Sequence, residues 1–307
     1  GITLTDLDTN DGSITVDAGG ALTVTDVASG TNGNISLTTT SGDITGLATV
    51  NAGSGNVTLA SAGAIVDDGS AGTVITGAVL TADAAGAITI DSTVTSANIS
   101  TSAAGALDLD ETDGITLTDL DTNDGSITVD AGGLITATDV VAAAGAGDSV
   151  TLTTTTGGVV ATLVTGAEAV SITANAGDVT IGAVTATVGT LGVTATAGSI
   201  NDAADDNTAD LTAGGLITLT AQDEIGVLAA GTDTDLEFAA GSSVNVSTTG
   251  TGAIDLDGLG TLTLTDVDTA NGAITVTAAG TLTATDVVSA TDADANDITL
   301  TATGAAM

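Results

Sequence analysis

The chain has 307 residues and contains no lysine, arginine, histidine, cysteine, proline, tryptophan or tyrosine; its single aromatic residue is Phe238. Each absence excludes something. Without basic side chains no side-chain salt bridge can form, and the 39 Asp and Glu residues leave a formal charge of −39. Contacts to phosphate need Lys or Arg, so nucleic acid is excluded as a partner. Attraction to an anionic membrane surface fails for the same reason. Without cysteine there is neither a disulfide framework nor thiol chemistry. Without aromatics a core must be thin and filled by aliphatic side chains. No window holds about 18 uninterrupted apolar residues, which predicts no membrane insertion.

The hydrophobic fraction of 42% is enough for a continuous core, so an ordered chain is expected despite the charge. Self-repulsion on this scale calls for counter-ions around any compact state. A medium rich in salt or divalent cations is the natural remedy.

The chain repeats itself. Gly1–Gly20 recurs letter for letter at Gly114–Gly133, and a looser copy begins at Thr261. One small structural unit used many times is therefore expected. Within and between the copies, apolar residues alternate with Thr, Ser, Asp and Asn, as in Ile14 and Val16, Leu22 and Val24, Ile35 and Leu37. Period two predicts strands with one buried face. Thr15, Thr23, Ser36, Thr58 and Thr89 should then point to solvent. Short gaps such as Asp17-Ala18-Gly19-Gly20, Ser41-Gly42, Ala62-Gly63 and Ala85-Gly86 read as corners where glycine supplies positive φ.

Comparable positions return about every 20 to 24 residues, as in Ile14, Ile35, Val57, Leu80, Ile99, then Ile127, Val150, Ile172, Val193, and finally Ile254, Ile274, Ile298. This predicts an all-β fold, a parallel β-helix (β-solenoid) of about 14 coils, with residues 1–307 as one continuous array. Rising about 4.8 Å per coil, it would form a rod on the order of 65 Å long. Tandem immunoglobulin-like sandwiches are the weaker alternative: they repeat near 100 residues and carry a core aromatic. The chain starts mid-pattern at Gly1, and Met307 follows a strand-like run. Both ends read as cuts through a longer or processed array.

The runs Gly12-Ser13-Ile14-Thr15-Val16, Gly33-Asn34-Ile35-Ser36-Leu37 and Gly55-Asn56-Val57-Thr58-Leu59, with the A-x-G-x-apolar segments after them, resemble repeats of filamentous-haemagglutinin-type large bacterial exoproteins. The resemblance implies a right-handed coil on a bacterial surface or in a secreted fibre. That family's secretion domain and basic residues have no counterpart here.

The sharpest local motif is Thr5-Asp6-Leu7-Asp8-Thr9-Asn10-Asp11-Gly12, which returns as Asp119, Asp121, Asn123, Asp124, Gly125 and as Asp266, Asp268, Asn271, Gly272. Closely spaced carboxylate and amide oxygens are what Ca²⁺ requires. The spacing is not that of an EF-hand, and a solvated polar turn explains the same residues. A second acidic series, Asp26, Asp139 and Asp286, sits in Thr-Asp-Val contexts; stacking between neighbouring coils would bring such residues about 4.8 Å apart. Asp67-Asp68 and Asp202, Asp205, Asp206 read as solvated charge in protruding loops.

Catalysis is not expected. Only Asp and the glutamates Glu111, Glu168, Glu224 and Glu237 could move protons, and no aromatic platform exists to stack a sugar, although a two-carboxylate glycosidase is formally open. Thr-x-Thr pairs such as Thr3/Thr5 and Thr283/Thr285 resemble the faces of β-solenoid ice-binding proteins, but β-propensity on an exposed face explains them. The Asn-x-Ser/Thr matches at Asn34, Asn56, Asn98 and Asn245 are incidental in a chain so rich in these residues.

The expectation is extracellular structural material at a cell surface: acidic solenoids that associate end to end into filaments, with divalent cations as partners. An adhesin segment presenting loops such as Ala203–Thr208 is the rival. The lack of Lys and Arg also removes every trypsin-type cleavage site.

Overall fold

The computed structural model describes residues 1–70, 72, 74–143, 145, 147–204, 206–226, 235–291 and 295–304. The chain is an all-β parallel β-solenoid of about 14 turns. No helix occurs among the described residues, so none is long and apolar enough to cross a membrane. The strands fall into two compact units, residues 1–151 and 152–307.

In the first unit each coil contributes one rung to two walls. One wall stacks Ile2, Leu22, Ile44, Ile65, Ile88, Leu107 and Ile127 as register partners. The opposite wall stacks Ile14, Ile35, Val57, Leu80, Ala97, Leu117 and Ala137. All these pairings are parallel, and the apolar members are buried, Ile2 at the first rung excepted. The alternate positions Thr15 and Thr23 are exposed, while Ser36, Thr58 and Thr89 are half-covered by the coils beside them.

Each coil has a kinked half and a straight half. In the first coils the kinked half is two short strands, Ile2–Leu4 with Leu7–Asp8, broken at Thr5-Asp6, and Leu22–Val24 with Asp26–Ala28, broken at Thr25. The straight half is a five-residue strand, Ile14–Ala18, Ile35–Thr39 or Val57–Ser61. The two halves exchange walls across the long strands Ile75–Ala84 and Ile88–Ala104. Ile2 belongs to the first wall, but its letter-for-letter counterpart Ile115 runs in the second wall, where Leu117 pairs with Ala97 and Ala137. Ile14 and its counterpart Ile127 are exchanged the same way. A parallel ladder is made by backbone, and both halves offer the same apolar alternation, so nothing in pairing prevents the exchange.

The second unit repeats this. The straight strands Val170–Ala174, Leu191–Ala195, Leu216–Ala221 and Ser242–Thr248 stack in turn. They are then continued by the kinked strand Leu262–Thr269. The exchange follows the most irregular coils of the unit, between Ile200 and Phe238. Val184, Leu211 and Phe238 are successive partners 27 residues apart, whereas Ile254 and Ile274 lie 20 apart.

Two local devices close the coils. At Gly42 the backbone does adopt positive φ (86°), as expected of a corner. Gly19, Gly20, Gly63 and Gly86 do not. At Gly33 and Gly55 the constraint is close approach: a Cβ would lie 2.4 Å from the Gly12 carbonyl oxygen and 2.3 Å from that of Gly33, so these turns stack backbone on backbone.

The second device was not expected from the alternation. Several Ser and Thr side chains face inward at the end of a strand, and each hydroxyl donates to a carbonyl three or four residues on. Thr39 reaches Gly42 (2.8 Å), Thr154 Gly157 (2.6 Å), Thr248 Gly252 (2.9 Å) and Thr269 Gly272 (2.9 Å). Thr9 and Thr122 brace Gly12 and Gly125 in the two identical copies. Replacing the buried Thr248 by isosteric Val removes the donor and is expected to lower stability by about 1 kcal/mol, read as a reduced urea midpoint with unchanged slope.

Candidate cation-binding sites

The Asp-Leu-Asp-Thr-Asn-Asp motif splits into two parts. Asp6 and Asp8 lie at the kink and just beyond it, with Leu7 between them turned inward. Asn10 and Asp11 are exposed in the turn beyond Thr9, where Asp11 accepts the Thr31 amide at 3.0 Å. The second copy is arranged alike: Asp119 is half-buried, while Asp121, Asn123 and Asp124 are exposed, separated by the inward Leu120 and Thr122. In the third copy Asp266, Asp268 and Asn271 are half-buried, and Asn271 accepts the Asn296 side-chain amide at 2.9 Å.

What meets at each kink is a carboxylate from the next coil. Leu7 pairs with Val27, Leu120 with Val140 and Val267 with Val287, which places Asp26 beside Asp6, Asp139 beside Asp119 and Asp286 beside Asp266. The two acidic series of the sequence are thus one set of corners: Asp6, Asp8, Asp26; Asp119, Asp121, Asp139; and Asp266, Asp268, Asp286. The consequence is the same in all three. Loss of hydration beside the next coil pushes the Asp8, Asp121 and Asp268 carboxyls up, although Asp8 and Asp121 are exposed, and the neighbouring Asp6 and Asp26, Asp119 and Asp139, or Asp266 and Asp286 push them further. Asn98, the partner of Asp119 on the other side, donates to it at 3.4 Å. One oxygen of Asp139 is buried without a hydrogen-bond partner.

A further column carries no motif. Asp91, Asp110 and Asp130 are register partners on three consecutive coils. Parallel strands are spaced about 4.8 Å apart. Burial raises Asp91, Asp108 and Asp110, and their carboxylate neighbours add to it.

The tightest acidic group is elsewhere, in the irregular coils of the second unit. Asp202, Asp210 and Glu237 each place an oxygen within 4.8 Å of the others, the only such group of three among the described residues. They are 5%, 5% and 2% exposed, so Asp202 is not the solvated loop residue expected; Asp205 lies outside the described residues. Asp202 is the register partner of the buried Ile181 and occupies a core position. Asp210 and Glu237 face each other on adjacent coils, the Glu237 amide donating to Asp210 Oδ2 at 2.9 Å. Desolvation is the main cause that pushes Asp210 up to about 7 and Glu237 up to about 9, the carboxyls being hydrogen-bonded to each other. Asp206 is exposed and behaves as a turn residue; the Thr208 hydroxyl and amide hold its pKa below the usual value.

Glu111 is the instructive contrast. It is equally buried, 4% exposed, but Ser92 Oγ donates to it at 2.6 Å and the Val94 amide at 3.1 Å. Burial raises it, and these hydrogen bonds offset part of the cost. Glu237 Oε2, also buried, has no hydrogen-bond partner. Asp67, half-buried at the end of the strand Ile65–Asp67, and the exposed Asp68 beside it each accept the amide two residues on. No protein-family model, curated protein or solved structure matches the chain.

Proposed function

We propose that the chain is extracellular structural material, a segment of a surface fibre, sheath or surface layer whose acidic coils are held by divalent cations. The observation that carries this reading is the stacking of carboxylates on consecutive coils, at three kinks and along Asp91, Asp110 and Asp130, in a chain without one basic side chain. Such columns repel unless neutralised from outside. Calcium, which takes carboxylate and amide oxygens in flexible geometry, fits their donors. Asp6, Asp8, Asn10 and Asp11 with their counterparts are the residues that would receive it.

The last rung supports association. Every residue of Ile298–Ala302 is exposed, including Ile298 at 44% and Leu300 at 40%, although its partner Ile274–Ala278 buries the same alternation. A strand edge that exposes apolar side chains is a template for pairing. Resemblance to filamentous-haemagglutinin-type exoproteins agrees with a surface fibre, and leaves an adhesin stalk as the second form of this reading. No catalytic role is assigned. Asp210 and Glu237, whose carboxyls are pushed up to about 7 and about 9, are too deeply buried for a polymer substrate to reach.

Electron microscopy of the purified chain in millimolar calcium, beside a chelated sample, tests the reading. Ordered filaments that fray on chelation are the expected result. Single dispersed particles under both conditions would count against assembly and favour the stalk.

A further inference from the structure

We propose that Asp202, Asp210 and Glu237 form an interior binding site for a hard divalent cation of the calcium class, distinct from the surface columns and independent of whether the coils assemble. Four observations converge. The three carboxylates offer oxygens within 4.8 Å of one another, a span that an ion with bonds of about 2.3–2.6 Å can bridge. All three are more than nine-tenths buried, where an ionised carboxyl is costly even with a backbone donor such as the Ala204 amide, which donates to Asp202 at 2.9 Å. Glu237 Oε2 is buried in this group with no hydrogen-bond partner, an unusual state for such an atom. Glu111 shows that this fold hydrogen-bonds a buried glutamate where the glutamate serves the coil alone. Finally, Asp202 stands in register with Ile181, where an apolar residue would continue the core.

No side chain of the chain is cationic, so none can pair with an ionised carboxyl here. The donors are all oxygen, which selects hard ions over zinc or copper. Three carboxylates on one divalent ion leave coordination positions to water or backbone. The coils between Ile200 and Phe238 are also the ones that depart from the short regular repeat. A bound ion would tie Asp202 and Asp210, which flank an excursion, to Glu237 on the next coil.

Isothermal titration of chelator-stripped protein with calcium chloride, in physiological sodium chloride, tests the site. Wild-type protein and Asp121→Asn are each expected to show one tight calcium per chain, above weaker salt-sensitive binding by the surface columns. Glu237→Gln is expected to weaken the tight event by about tenfold or more. In chelator the same variant should unfold at the same temperature as wild type or higher, because an amide in place of a buried carboxyl never has to ionise, and calcium should raise that temperature less than it raises that of wild type. Should Glu237→Gln fail to fold, Asp202→Asn carries the same comparison. A tight event retained in both variants, or only weak salt-sensitive binding in wild type, overturns the proposal. Filament formation is read separately, so either reading can fail alone.

Discussion

In chelator and at fixed salt, the protein is expected to be more stable at pH 5 than at pH 8.5, with its urea midpoint falling steadily between them. The sign follows from linkage. Asp91, Asp108, Asp110, Glu111, Asp121 and Asp268 all have folded pKa values above the ordinary range, with burial the leading cause. Asp210 and Glu237 reach about 7 and about 9. The folded chain therefore holds more protons than the unfolded chain. The stability this provides is fully present below the unfolded carboxyl pKa and is lost as pH rises through the folded values. Each extra proton held costs about 1.4 kcal/mol per pH unit across that window. Asp206 is lowered by its Thr208 hydrogen bonds and acts in the opposite sense.

This is the reverse of a fold held by carboxylates paired with Lys or Arg, which weakens in acid. Glu237→Gln should flatten the profile above neutral pH and leave the acidic side nearly unchanged. Added sodium chloride should raise the whole curve, since screening over about 10 Å or less reaches the surface columns, but it should not remove the slope due to buried groups. A midpoint that is flat or rises with pH, measured by circular dichroism, would contradict the account.

The fold was legible because apolar alternation, coil-length period and glycine corners all point one way. The column Ile14, Ile35, Val57, Leu80 is a true wall. The period loses its place at the next rung: Leu80 pairs with Ala97, and Ile99 pairs with Ala82. That coil is short, and alanine carries no bulk by which to mark a rung. Ile127 then belongs to the wall of Ile65 and Ile88. Exchange of kinked and straight halves cannot be read from sequence, since both halves carry the same alternation and the ladder is made of backbone.

The acidic corners were half legible. Asp6 and Asp26 are separate motifs in the sequence, and only the pairing of Leu7 with Val27 shows that they meet. Asp91, Asp110 and Asp130 share no local motif, and their meeting depends on coil lengths that vary. The group of Asp202, Asp210 and Glu237 was hidden for a different reason. Asp202 looks like one more loop acid beside Ala203, and nothing local announces that it has taken a core position. One signal was available: Glu237 is one of four glutamates and precedes the only aromatic residue, Phe238.

Phe238→Ala is expected to cost about 3–5 kcal/mol, the range for emptying a fully buried aromatic site. Phe238 is 0% exposed and lies in register between Leu211 on one coil and Gly258 on the next. The large ring thus has a glycine as its register partner on one side and Leu211 on the other, so the loss falls at a step where one coil supplies no side chain. In a solenoid, stability is a sum over coils and their interfaces with neighbours. The damage should therefore be local: coils around Phe238 open first, and urea unfolding broadens or splits instead of shifting as one transition. Hydrogen exchange resolves the two cases. Amides of Leu211–Ala213 and Ile254–Gly258 should lose protection before those of Val170–Ala174. Because Glu237 is carried on the same short strand, Leu236–Phe238, the variant should also weaken calcium binding at Asp202 and Asp210 with every carboxylate still present. Uniform loss of protection along the unit, with the calcium event unchanged, would show that Phe238 does not hold the acidic group in place.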